Sequence, residues 1–242
     1  MSEHRDLPFY DGRPVEISGR SWLLILLAVA LGFAALVALP LRDAHLNFIP
    51  TILFVAIPLG ALAMVAGSNW RALFGRYGIK QFGQSLAFGV LTIVVSGTAG
   101  FLLSLLTPMV ANPAVTSLAG IGPAELVLFL ARTFIQLIGE EVTTILPLLA
   151  VLWLCVSRFG LSKRVGLAIA VVVSTLWFSA LHLPTYGWNI VQCLGIIGTA
   201  RIVLTLSYLV TRNLWVSAGA HIINDWALFL GAYAIGHALI GT

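Results

Sequence analysis

The length of the apolar runs most limits what this chain can become. Residues 22–39, 48–66, 84–106, 123–156, 165–183, 188–210 and 214–239 are each predominantly apolar. They reach or approach the ~20 residues a helix needs to cross a bilayer core. They are continuous and lack the period-2 alternation of a membrane barrel strand. The expected fold class is therefore all-α, a polytopic transmembrane helical bundle of seven or eight spans, with the lipid bilayer as first partner. Composition agrees: 60% of the 242 residues are hydrophobic and 9% are charged, against about 25% charged in soluble domains. The net charge of +4 lies in the connections and forms no basic cluster, which excludes a nucleic-acid partner. Cys155 and Cys193 both fall within apolar runs and read as buried packing residues, not as a disulfide.

Residues 1–21 form a polar arm of mixed charge, expected to be exposed or interfacial, and residues 22–242 a single transmembrane domain. The first run is longer than the core of a signal peptide and no small-x-small cleavage site follows, so it reads as a retained span. Pro58 is expected to kink the second span. Gly89, Gly97 and Gly100 would let a neighbouring helix approach closely. As one helix, residues 123–156 would measure roughly 50 Å at 1.5 Å per residue, so this run is expected to tilt, protrude, or break near Gly139 or Pro147. Arg5, Arg13, Arg20, Arg71, Arg76, Lys80, Arg158, Lys163, Arg164 and Arg212 occupy the arm and alternate connections, with Arg42 alone on the other side. Positive-inside counting then places the amino terminus in the cytoplasm. The cytoplasmic membrane of a prokaryote is the expected location.

Against this background the pair Glu140-Glu141 stands out, because a charge at the bilayer centre costs about 2.5–3.5 kcal/mol on insertion scales. Two further segments carry ionisable groups within apolar runs. Phe178 and His182 are four residues apart, as are His221 and Asp225, so each pair shares one helix face. Adjacent glutamates lie about 100° apart around a helix, so one faces a shared pocket and the other flanks it. Carboxylates and imidazoles facing a bundle interior can bind a metal or activate water. Taken singly, each has a plainer reading. His182 can be a packing histidine, Asp225 can face water at a helix end, and the glutamates can neutralise Arg132 or Arg201. Phe178, His45 and His237 read as structural.

The order Glu-Glu, Phe-x-x-x-His, His-x-x-x-Asp/Asn on successive helices, with Leu214-Trp215 shortly before His221, resembles the CPBP intramembrane proteases. This is the CAAX prenyl protease and bacteriocin-processing (Abi) family. The resemblance covers roughly residues 120–230. It implies an intramembrane endopeptidase acting on prenylated carboxy-terminal tails or peptide precursors. It also implies a general base at Glu140 aided by His182, an oxyanion or carbonyl contact from His221 and Asp225, and support from Glu141. The family is described both as metal-dependent and as glutamate-dependent. A zinc ion through Glu140, His182, His221 and Asp225 is compatible with the residues, although no His-Glu-x-x-His helix is present. One position departs from the family pattern: Ile145 stands where an arginine usually follows the glutamates, and Arg201 or Arg132 are the candidate substitutes. That departure keeps open a non-catalytic immunity or scaffold protein of the same fold. A proton-coupled transporter using Glu140, Glu141, Arg201 and Asp225 as a relay is a third reading.

Overall fold

The structure, a computed structural model, describes residues 6–39 and 46–240, with the side chains of 239 and 240 left aside. Arg5, Arg42 and His45 therefore lie outside the described residues. The elements in order are α1 (Gly19–Ala38), α2 (Phe48–Ala66), a 3-10 helix (Gly67–Leu73), α3 (Ile79–Ser104), the short α4 (Pro113–Ser117) with a 3-10 turn (Leu118–Gly120), α5 (Pro123–Trp153) and a π-helical turn (Leu154–Arg158). Then come α6 (Lys163–Leu181), α7 (Ile190–Gln192), a second π-helical stretch (Cys193–Ile197), α8 (Gly198–Thr211) and α9 (Leu214–Ile240). No strand occurs among the described residues. Six helical segments are long and apolar enough to cross a membrane, one of them Ile190–Thr211, which joins α7, the π stretch and α8. The protein is an integral membrane protein. With 27 residues α9 is also long enough to cross, and it carries His221, Asn224 and Asp225 in its first half.

The long run 123–156 does not break. Pro123 starts α5 at a position where its missing N–H costs nothing, and Glu125 accepts the Gly122 N–H at 2.9 Å. The helix then continues through Gly139 and Pro147 to Trp153. It can be this long because it is the central post, packed against α1, α2, α6 and α9. From Glu141 to Ala150 every residue is buried. Gly139 lets α2 close on it, since a Cβ there would lie 2.4 Å from Cδ1 of Phe54.

Gly89 and Gly100 act as expected. A Cβ at Gly89 would meet Ile223 of α9 at 2.8 Å, and one at Gly100 would meet Ile196 at 3.3 Å. Gly97 does not, because nothing lies within 4 Å of its would-be side chain. It sits on the outer face of α3, where helical spacing turns it away from both neighbours. Pro58 lies inside α2, where its ring is 3.2 Å from a would-be Cβ at Gly32 of α1.

The amino-terminal arm is exposed only in part, at Arg13, Pro14, Glu16 and Ser18 among others. Leu7, Phe9, Tyr10 and Ile17 are buried against the ends of α1, α5 and α6. Phe9 meets Trp22 edge-on at 6.5 Å, and Trp22 meets Trp153 at 6.4 Å. Ser157 donates to the Tyr10 carbonyl at 2.6 Å, and the Lys163 ammonium bonds the Asp6 carboxylate at 2.6 Å. The arm's charge content hid four apolar anchors, which close the bundle's end. Burial works against the Asp6 charge. The Lys163 hydrogen bond, the Leu7 N–H and the Tyr10 hydroxyl outweigh it and hold this carboxyl below its usual range. A carboxyl lowered in the folded state stabilises above its ordinary pKa of about 3.9 and loses that contribution as pH falls through the folded value. Chymotryptic cleavage after Tyr10, which is buried in the docked arm, sampled after acid pulses, is therefore expected to appear only after exposure below about pH 4. The Asp6→Asn variant is expected to be cut already at neutral pH, and equal resistance in both proteins would sink this role for Asp6.

Candidate active site

Helix α5 presents Arg132, Gln136 and Glu140 at intervals of four, one above the next. The Gln136 amide donates to Glu140 Oε1 at 3.0 Å. Glu141, turned about 100° from Glu140, points instead toward α8 and α9. There the Arg201 guanidinium grips it with both arms, Nη1 to Oε1 at 2.6 Å and Nη2 to Oε2 at 2.9 Å. Neither side chain has any exposed surface. Arg201 Nε also donates to Thr205 at 3.2 Å, and its guanidinium lies 5.1 Å from the Phe178 ring. A forked pair of this kind is the strongest way to hold a buried carboxylate. Of the two candidate substitutes for an arginine at 145, Arg201 is the one that pairs with Glu141. Ile145 itself is fully buried within the apolar core cluster. Arg132, the other candidate, instead stacks on Phe129 at 5.6 Å.

The same Glu141 Oε1 takes a hydrogen bond from His221 Nδ1 at 2.9 Å. A carboxylate gripped by arginine can only accept, so Nδ1 carries the proton and the imidazole is oriented by its partner. His221 Nε2 then points at the other two carboxylates, 3.8 Å from Glu140 Oε2 and 3.7 Å from Asp225 Oδ1. Asn224 donates to Asp225 Oδ1 at 2.8 Å. On the opposite wall His182 caps α6 just past its last turn, with Nδ1 2.9 Å from the Phe178 carbonyl. The Phe178 ring lies 4.5 Å from His182 and 6.3 Å from His221. It packs beside both imidazoles.

Two cavities meet at these residues. One, of about 530 Å³, lies between α1, α2, α5 and α6, with Phe33 and Phe54 on its apolar side. The other, of about 520 Å³, lies between α3, α5, α8 and α9 and is lined by His221 and Asp225 as well. Gln136, Glu140, Phe178 and His182 border both. The structure thus brings together Glu140, His182, His221 and Asp225, with Glu141 behind them. His237 lies apart near the end of α9, bonded to the Tyr233 carbonyl at 2.9 Å. Sequence reasoning missed Gln136, Asn224 and Tyr186. Gln136 was legible, since it precedes Glu140 by one helical turn. Tyr186 was not, because it reaches the cavity wall from a connection.

The zinc donors expected from the sequence are Glu140, His182, His221 and Asp225. Among the described residues no three His, Cys, Asp or Glu side chains stand where they could hold a metal ion together. One nitrogen of each histidine is engaged, His182 with the Phe178 carbonyl and His221 with Glu141.

No curated protein and no solved structure matches the chain. Residues 122–227, the segment that holds all of these side chains, match the family model described as Rce1-like, type II CAAX prenyl endopeptidase, and over that segment the resemblance read from the motifs is borne out.

Proposed function

We infer that the protein is an intramembrane endopeptidase that hydrolyses a peptide bond within or near the bilayer. The observation that carries this reading is the convergence of Glu140, His182, His221 and Asp225 on adjoining cavities deep in the bundle. In the reaction Glu140 takes a proton from water as its oxygen bonds to the scissile carbonyl carbon. The Gln136 amide orients the Glu140 carboxylate, and His182 helps hold the water from the other wall. In its imidazolium form His221 also donates from Nε2, toward the oxygen where negative charge builds. When the C–N bond breaks, the proton held by Glu140 passes to the departing amine. Glu141 and Arg201 stay out of the chemistry and fix the His221 ring. The substrates in this reading are prenylated carboxy-terminal tails or peptide precursors. Because Arg201 supplies the cation that Ile145 does not, the departure at 145 no longer speaks for a non-catalytic relative.

The test is cleavage by the purified chain in liposomes containing both substrate kinds, run in ¹⁸O-labelled water. The expected product has one new carboxyl carrying the label. If no peptide of either kind is cut, the reading fails.

A further prediction concerns Asp225, at a position where the resembled family carries Asp or Asn. Asp225 can donate to an oxyanion only in its protonated form, and an asparagine amide can donate from the same place. Asp225→Asn is therefore expected to keep hydrolysis within about tenfold of the original, and Asp225→Leu to lower it by about 10²-fold, the usual loss on removing an oxyanion contact. Equal rates for Asp225→Leu and the parent would remove Asp225 from the mechanism.

A further inference from the structure

The two ends of the bundle differ in charge. At one end lie the arm, the segment before α3, the turn between α5 and α6, and the turn between α8 and α9. Contacts tie them together. Lys163 bonds Asp6, Ser157 bonds the Tyr10 carbonyl, and Asn213 accepts from the Gly75 N–H and donates to the Arg76 carbonyl. Arg13, Arg20, Arg71, Arg76, Arg158 and Arg212 all lie at this end. At the other end are residues 46–47, 105–122 and 182–189, which contain no Lys or Arg. They too are joined, by Asn112 to the Tyr186 hydroxyl at 3.1 Å and by Gln192 to the backbone of Val110 at 2.8 and 2.9 Å. Between residues 39 and 46 the sequence carries Arg42 and no other Lys or Arg.

Both cavities belong to the uncharged end. The first is bordered by Val37, Asn47 and Thr185, the second by Asn112, Thr185 and Tyr186. No residue of the basic segments lines either one. Short connections rich in Lys and Arg stay in the cytoplasm. The basic end is then the cytoplasmic one, and the cavities open away from it.

We propose that the site opens on the non-cytoplasmic face of the membrane and takes polypeptide presented from that side. Its substrate class is an exported peptide or the external segment of a membrane-anchored precursor, not a lipidated tail in the cytoplasm. This rests on the hydrolase reading above and selects between its two substrate kinds. Thr185 is exposed and borders both cavities, whereas Phe159 is exposed at the basic end. Both native cysteines are buried.

The experiment places single cysteines, Thr185→Cys and Phe159→Cys, in the full chain with Cys155 and Cys193 changed to Ser. Intact spheroplasts are then treated with a membrane-impermeant maleimide. Thr185→Cys is expected to be labelled without permeabilisation and Phe159→Cys only after it. Thr116→Cys, exposed in α4 at the same end as Thr185, repeats the test if Thr185→Cys does not accumulate. Labelling of Phe159→Cys alone, or of both ends equally in intact spheroplasts, would overturn the proposal. Labelling needs no catalysis, so that result leaves the hydrolase reading standing. Conversely, an inactive protein with the expected labelling sinks the hydrolase reading and leaves the orientation intact.

Discussion

Arg201→Leu is expected to leave little folded protein in the membrane. The substitution strands the Glu141 carboxylate at a site with no exposed surface. Breaking one half of a buried ion pair costs about 3–5 kcal/mol, a large share of the roughly 5–15 kcal/mol that holds a typical domain together. The Thr205 hydrogen bond and the stacking on Phe178 are lost as well. The double variant Glu141→Leu/Arg201→Leu removes both charges and is expected to be more stable than the single one, because apolar side chains can replace a buried pair at little cost. It should nevertheless be slow in catalysis, since His221 loses the partner of its Nδ1. Thermal unfolding in detergent micelles, read for the single and the double variant side by side, checks this. A single variant as stable as the double would contradict the pairing.

The spans were legible because apolar length is a one-dimensional property, and the described helices lie close to the runs read from it. The site residues were legible for a related reason. Glu140, His182, His221 and Asp225 are among the few ionisable groups within those runs, and the spacing of four put His221 and Asp225 on one face. What the chain order did not reveal was which helix answers which. Arg201 could be named as a substitute for the missing arginine, but only the folded bundle, in which the Arg201 side chain reaches α5 from α8, shows that it grips Glu141 and not Glu140. The arm misled because its charges dominate a count, while Leu7, Phe9, Tyr10 and Ile17 carry its burial. Gly97 misled because helical spacing alone does not say which face of α3 meets a partner. The direction in which the cavities open was hidden too, since it depends on connections far apart in the chain.

Glu140→Gln is expected to abolish hydrolysis while leaving the fold unchanged. The amide keeps the size of the side chain and can still bond Gln136, but it cannot accept the proton of the attacking water. Loss of a general base costs about 10²–10⁴-fold in rate. The neighbouring Glu141→Gln variant should differ in kind, with lowered stability because the forked grip of Arg201 is weakened. The most direct measurement is therefore the turnover of one peptide by the parent and by Glu140→Gln in the same liposomes, with matched unfolding curves. A folded Glu140→Gln protein whose cleavage is at least about 10²-fold slower is the predicted result. A folded variant that cuts the peptide at the parent's rate would show that Glu140 is not the base and would contradict the account at its centre.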